Sequence, residues 1–191
     1  MKKALILLFL INCTSVYAAD QNFIPYIGGD IGVDFIDYNL DTKMDDDFYS
    51  GTINLGARIG KNFGAELFFK HSTKNSLEYI FNYETLELDL YYISYGFNIY
   101  GYYTVADNFD FFTSFGVSNY KIHTSLEYTN PYYDETHQET INDISTHLGI
   151  GIMYTFPYEN FSILGQYKYT PLNTEIIKTI SEFSVGFRLS F

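Results

Sequence analysis

Phe183-Ser184-Val185-Gly186-Phe187-Arg188-Leu189-Ser190-Phe191 is the stretch from which the fold is read. Its odd positions are all apolar, and its even positions are small or polar. Such strict alternation gives a β-strand one greasy face and one polar face. Chain ends in water tend to fray. An apolar face kept as far as a terminal aromatic is therefore expected where that face meets lipid. This strand is expected to close a barrel that the rest of the chain builds.

The other end of the chain is read as an export signal. Lys2 and Lys3 precede the apolar run Ala4 to Ile11, and Val16-Tyr17-Ala18 offers a peptidase cut after Ala18. The apolar run is too short to span a bilayer as a helix. Residues 1–18 are thus expected to be a cleaved signal peptide and 19–191 a single barrel domain. Cys13 is expected to leave with the signal and not to carry lipid, because Asn12 is bulky for the position before a lipidated cysteine. The mature chain then has no cysteine, so a disulfide framework does not hold it. The chain carries 11 basic and 23 acidic residues, a formal charge of −12. Losing Lys2 and Lys3 leaves 9 against 23, or −14. Nucleic acid, which needs a basic footprint, is excluded as a partner. No later stretch approaches the roughly 18 apolar residues of a membrane helix. The 20 Tyr and 18 Phe suit aromatic girdles at two membrane interfaces.

Eight alternating segments follow in order: about 24–37, 51–60, from Phe63 to about Lys70, 87–103, 109–121, 142–154, 161–170 and the closing stretch. Short turns at Lys61-Asn62, Ala106-Asp107-Asn108 and Pro157 to Asn160 alternate with longer connections at 38–50, 71–86, 123–141 and 171–179. The predicted architecture is all-β, an eight-stranded antiparallel up-and-down transmembrane β-barrel. Short turns would face the periplasm and four loops the exterior. The greasy lumen of a soluble lipocalin-like periplasmic carrier is the inverse assignment. Two features disfavour it. One face is almost uniformly apolar. The other mixes glycine with both signs of charge, namely Asp30, Asp34, Arg58, Glu66, Lys70, Lys168 and Arg188. That mixture suits the cramped lumen of eight strands, where charges must pair. His147 is expected to join the same interior.

At this point the chain resembles the small eight-stranded outer-membrane barrels, which include the opacity-type adhesins, the X-type outer membrane protein and the barrel domain of outer membrane protein A. Ser184, Gly186, Leu189 and Phe191 resemble that family's assembly signal, which implies the barrel-assembly machinery as a partner. Tyr26-Ile27-Gly28-Gly29 and Leu148-Gly149-Ile150-Gly151 resemble its glycine-bearing strands. The resemblance implies a bacterial outer-membrane location. It also implies contact with outer-membrane lipid and lipopolysaccharide, and a surface role that is structural or adhesin-like. A monomer is expected, and no periplasmic domain is expected beyond Phe191.

Three clusters bear on chemistry. His123-Thr124-Ser125 is similar to the His-x-Ser element of outer-membrane lipid A deacylases, but Leu126 replaces the family's Asn and no acid is clearly positioned. A lipid A-modifying hydrolase is therefore the alternative function, and a non-catalytic protein is expected. Asp45-Asp46-Asp47 lacks a calcium-loop spacing and is read as a solvated acidic loop. No metal or cofactor is expected. Tyr132 and Tyr133, deep in the longest loop, are the candidates for contact with a host-surface ligand. Tyr91, Tyr92, Tyr100, Tyr102 and Tyr103 near the strand ends are read as interface anchors.

Overall fold

The computed structural model describes residues 23–39, 46–81, 84–130, 132–157 and 159–191. The proposed signal peptide, Cys13, Asp41 and Asp45 lie outside these residues. Nine strands form the sheet: β1 (Phe23–Tyr38), β2 (Asp47–Ile59), β3 (Phe63–Ser72), β4 (Asn75–Phe81), β5 (Glu84–Ala106), β6 (Phe109–Asn130), β7 (Tyr133–Thr155), β8 (Phe161–Pro171) and β9 (Ile177–Ser190). Every pairing is antiparallel. β1 pairs with both β2 and β9, and β3 pairs with β5, so the sheet closes on itself. Closure leaves no unpaired edge in the lipid, where an unbonded amide would find no partner.

The count of nine corrects the expected eight. β3 and β4 lie end to end along one neighbour, β5, with only Thr73 and Lys74 between them. The ring therefore has eight positions, and one of them is built from two strands. A second correction concerns the loops. Residues 123–141, expected as the longest loop, are almost wholly strand, since β6 runs to Asn130 and β7 starts at Tyr133. The 71–86 connection is likewise mostly β4 and the start of β5. Crossing a bilayer takes about 9–11 tilted residues. β8 has 11, whereas β5, β6 and β7 have 23, 22 and 23. The last three stand well clear of the membrane as an extended sheet, and β4 pairs with its outer part.

The periplasmic turns are tight for local reasons. Gly60 holds a left-handed φ of 64° where β2 turns into β3, a conformation that costs glycine nothing. At the β7–β8 turn the Phe156 amide donates to the Phe161 carbonyl at 3.0 Å.

The faces settle the inside. Ile27, Ile31, Ile53, Leu55, Leu67, Phe97, Phe115, Ile150, Val185 and Phe187 are all exposed on the outer wall. Asp30, Asp34, Glu66, Lys70, His147, Lys168 and Arg188 are buried in the lumen. A continuous apolar exterior of this extent is penalised by water and stabilised by lipid.

Candidate functional site

The lumen is layered, and strand parity produces the layers. Nearest the periplasmic turns, Tyr100, Tyr102, Phe112, Met153 and Leu164 form an apolar floor. Arg58 lies over the Tyr102 ring at 4.5 Å and pairs with Asp110 at 2.6 Å. A cavity of only about 110 Å³ remains here, lined by Tyr26, Arg58, Tyr102, Met153, Leu164 and Arg188.

Two ion networks fill the middle. In the first, Arg188 reaches Asp30 at 2.7 Å and Glu66 at 3.0 Å. Glu66 also accepts hydrogen bonds from Tyr26 (3.1 Å), Tyr100 (2.7 Å) and Asn98 (3.1 Å). Asn54 donates to Asp30 at 2.6 Å. In the second, Lys70 sits between Asp34 at 2.7 Å and Glu182 at 2.9 Å, and Lys168 reaches Glu182 at 3.4 Å. The Tyr92 hydroxyl donates to Asp34. Each buried charge thus has an opposite charge, and Asp30, Asp34 and Glu66 accept further hydrogen bonds, which helps ions to be tolerated out of water. Six of the seven charged residues read from the sequence lie in these two networks, and Arg58 forms the separate pair with Asp110 at the floor. Glu182 and Asp110 were missed. Glu182 follows the parity of Ser184 and Arg188 but lies one residue before the stretch from which that parity was read, and Asp110 stands beside a turn.

Gly186 has a local reason to be glycine, since a Cβ there would overlap the Asp30 carboxylate and the Gly29 carbonyl. Of the other members of the assembly motif, Ser184 faces the lumen, and Leu189 and Phe191 face outward.

His147 joins the interior by bonding Asn98 Oδ1 at 2.5 Å and Ser118 Oγ at 3.2 Å. A hydroxyl, an imidazole and an amide in series have the connectivity of a hydrolytic triad. Ser118, Asn98 and His147 are all about 1% exposed, however, and neither they nor their neighbours line a cavity that would admit a substrate.

Above the membrane the lumen changes character. Ile36, Phe48, Leu90, Tyr92, Tyr120, Ile122, Leu172, Ile177 and Ile180 form an apolar roof, with Leu77, Leu88 and Ile141 packed against it. Floor and roof together close the barrel at both ends.

The outer face of the extended sheet is polar. Glu78, Glu87 and Glu127 stand in one cross-strand row. Lys74 lies beside that row, 2.9 Å from Asp89 and 3.8 Å from Glu87. Its hydrogen bond to Asp89 raises the Lys74 pKa above the usual ammonium value. Burial alone would raise the Asp89 pKa, but hydrogen bonds from Lys74 and Ser76 outweigh it and hold that carboxyl below its ordinary range.

His123 and Ser125 also lie on this sheet. His123 Nδ1 is bonded to Thr140 Oγ1 at 3.0 Å, and its ring stacks on Tyr91 at 4.7 Å. No hydrogen bond links it to Ser125 among the described residues. Asp46 and Asp47 are exposed, and no group of three metal-binding side chains gathers among the described residues. Tyr132 and Tyr133, at the tip of the β6–β7 hairpin, are 97% and 55% exposed.

Residues 4–191 match the family described as outer membrane protein beta-barrel domain. No curated protein matches the chain. Several solved structures share the fold at low identity. Neisserial surface protein A is 15% identical, with a TM-score of 0.61, over 87% of this chain and 97% of that one. A major outer membrane protein from Thermus thermophilus is 11% identical, with a TM-score of 0.56, over 87% and 99%. Ail, the attachment invasion locus protein of Yersinia pestis, is 15% identical, with a TM-score of 0.52, over 88% and 97%. Ail has also been solved in complex with the heparin analogue sucrose octasulfate. With its closed ring, lipid-facing exterior and family match, the chain belongs to the outer-membrane β-barrel family and resides in the bacterial outer membrane.

Proposed function

We propose that this protein is a monomeric, non-catalytic surface barrel whose β6–β7 hairpin makes adhesive contact with a host or neighbouring surface. The observation that carries the reading is the hairpin itself. It rises well beyond the lipid-facing wall, is braced from inside by the apolar roof, and ends in the exposed pair Tyr132 and Tyr133. Aromatics on a braced tip give large contact area at small entropy cost. The apolar floor and roof support the same reading, because they stand across the path a solute would take through the barrel. The heparin analogue seen with Ail is polyanionic, whereas Glu127 of this hairpin stands in one row with Glu87 of the neighbouring β5 on a strongly acidic chain. A neutral or basic partner therefore suits it better than a sulfated glycan.

The test is adhesion of bacteria displaying the protein, with Tyr132→Ser and Tyr133→Ser combined. Adhesion should fall to the level of bacteria lacking the protein, with the amount of folded barrel unchanged. Undiminished adhesion would overturn the reading. For lipid A hydrolysis, Ser125 and His123 share a face, but the imidazole is engaged by Thr140 and Tyr91. Lipid A should accordingly keep its mass when the protein is expressed. A mass loss abolished by Ser125→Ala would reverse this. For assembly, the reading is that Ser184, Gly186, Leu189 and Phe191 are recognised by the barrel-assembly machinery. Phe191→Ala should lower outer-membrane yield, and Gly186→Ala should in addition lower the stability of whatever barrel forms.

A further inference from the structure

Past the roof, water reaches both sides of the extended sheet, yet only one side is built for it. The outer side is polar, with Glu78, Glu87 and Glu127 in one cross-strand row and Ser76, Asp89 and Ser125 in the next. The inner side is not. One row there joins Leu77, Leu88, Leu126 and His137, and the next joins Tyr79, Leu86, Tyr128 and Glu135. Leu77 and Leu88 still pack against the roof. Leu126 and Tyr79 stand clear of it and are 37% and 45% exposed. The facing wall has stopped by this height, since β1 ends at Tyr38 and β9 begins at Ile177. Water penalises an apolar sheet face left open in this way, so an apolar surface belongs against it.

Charge says what kind of surface that is. Residues 75–90 and 122–141, which build the extended sheet, contain eight Asp and Glu and no Lys or Arg. At the root of the sheet Lys74 is taken by Asp89. On the inner side the apolar rows end at β7, where Glu135, His137 and Glu139 share one face by strand parity. Glu135 touches His137 at 3.0 Å. Among the described residues no three metal-binding side chains gather, so the matching positive charge is spread out, as it is along a peptide, and not concentrated in one ion.

We propose that this inner face, with Tyr79, Leu86 and Leu126 as its floor and Glu135 and Glu139 along its flank, docks a cationic amphipathic peptide segment. The segment lays its apolar side on the leucines, and Lys or Arg on its other side meet the two glutamates. Tyr79 offers its ring to an aliphatic stem or to a cation. The carboxylates on the outer side of the sheet draw such a segment in from solution without touching it. The surface opens over the barrel mouth, away from the hairpin tip, and is independent of the adhesive role.

The test is a titration of the refolded barrel, held in nanodiscs of zwitterionic lipid, with a synthetic amphipathic helix of Leu and Lys. Nanodiscs without barrel give the baseline, and the wild type should bind above it. Leu86→Ser with Leu126→Ser should weaken binding about tenfold, as expected for two leucines that the peptide partly buries. Leu126→Ser alone, at an exposed position, should weaken it about threefold. Glu135→Gln with Glu139→Gln should weaken it about fivefold, as two exposed charge pairs would. Glu78→Gln with Glu127→Gln removes the same charge from the outer side and should leave binding unchanged. An unchanged difference in gel mobility between boiled and unboiled samples shows that each variant is folded. Binding no greater than the baseline would overturn the proposal, as would equal weakening by the two pairs of Gln substitutions. Equal binding of a Ser and Lys peptide would reduce the effect to charge, and equal binding of a Leu and Glu peptide would reduce it to apolar contact; either overturns the proposal.

Discussion

β5 passes through two environments, and its faces exchange roles between them. In the membrane its outer residues are Ile93, Tyr95, Phe97 and Ile99, and its inner ones are Ser94, Gly96 and Asn98. Beyond the membrane Leu88, Leu90 and Tyr92 point in, while Glu87 and Asp89 point out. The pleat is unchanged, and only the medium outside differs. Lipid accepts the apolar face, so the lumen must take the polar one and satisfy it by pairing. Water accepts the polar face, so the interior becomes an ordinary apolar core. The lipocalin-like arrangement rejected for the barrel as a whole is thus realised in its upper third.

The two interiors should fail differently. Among the described residues, Lys70→Met removes the one cation paired with Asp34 and leaves Glu182 with Lys168. Breaking a buried pair by deleting one partner costs about 3–5 kcal/mol. The variant should convert from its folded to its unfolded gel mobility at a markedly lower temperature or urea concentration. Unchanged stability would mean that the lumen charges are not held as the network implies. Leu90→Ala opens a gap in the roof and should cost about 2–5 kcal/mol. Its damage should be local, with protease cutting the extended sheet while the membrane-embedded ring stays resistant. Loss of the ring together with the roof would show that the two regions fold as one unit.

An outward lysine probes the exchange of faces directly. Ile31 is 76% exposed on the wall, and Ile31→Lys should cost about 2–4 kcal/mol if that position sits near the bilayer midplane. Glu87→Lys, on the same side of the sheet but above the lipid, should leave stability unchanged or raised, because it breaks the row of like charges with Glu78 and Glu127. Urea titration of both variants in one lipid checks the contrast, and equal losses would remove the boundary drawn here.

Much of the membrane-embedded part was legible because lipid imposes a two-residue period with few exceptions. The outer and inner sets on 24–37, 51–60 and 183–191 read directly from alternation. So did the charges Asp30, Glu66, Lys70 and Arg188, although their partners across the lumen did not, since Asp30 and Arg188 are 158 residues apart. The hairpin at 123–141 was hidden because both its faces contain polar residues. Thr124 and Glu139 sit on the inner side next to Ile122 and Ile141, which blurs the period that marks a strand. The break between β3 and β4 was equally invisible, because Thr73 and Lys74 carry no turn signal, and it is pairing with β5 that realigns the chain. The outer face at Asn119, Lys121 and His123 reads simply as the polar end of a strand.

The mildest perturbation concerns the exposed ion pair that ties β4 to β5. Asp89 is held below its ordinary pKa, so the folded form binds its proton less readily than the unfolded chain. The pair's contribution is therefore complete above the usual carboxylate range, near pH 4, and fades as pH falls through the depressed folded value. Lys74 is raised, so its share is complete below the ordinary ammonium pKa and is lost only as pH climbs past the folded value. Between these limits the pair should be insensitive to pH. Hydrogen exchange of the β4 amides should speed up slightly on acidification, and Asp89→Asn should remove that acid dependence while leaving exchange in β1 and β9 untouched. Because both groups are exposed to solvent and salt, the change should be small and should shrink further at high ionic strength. Acid sensitivity that survives Asp89→Asn would show that this pair is not its source.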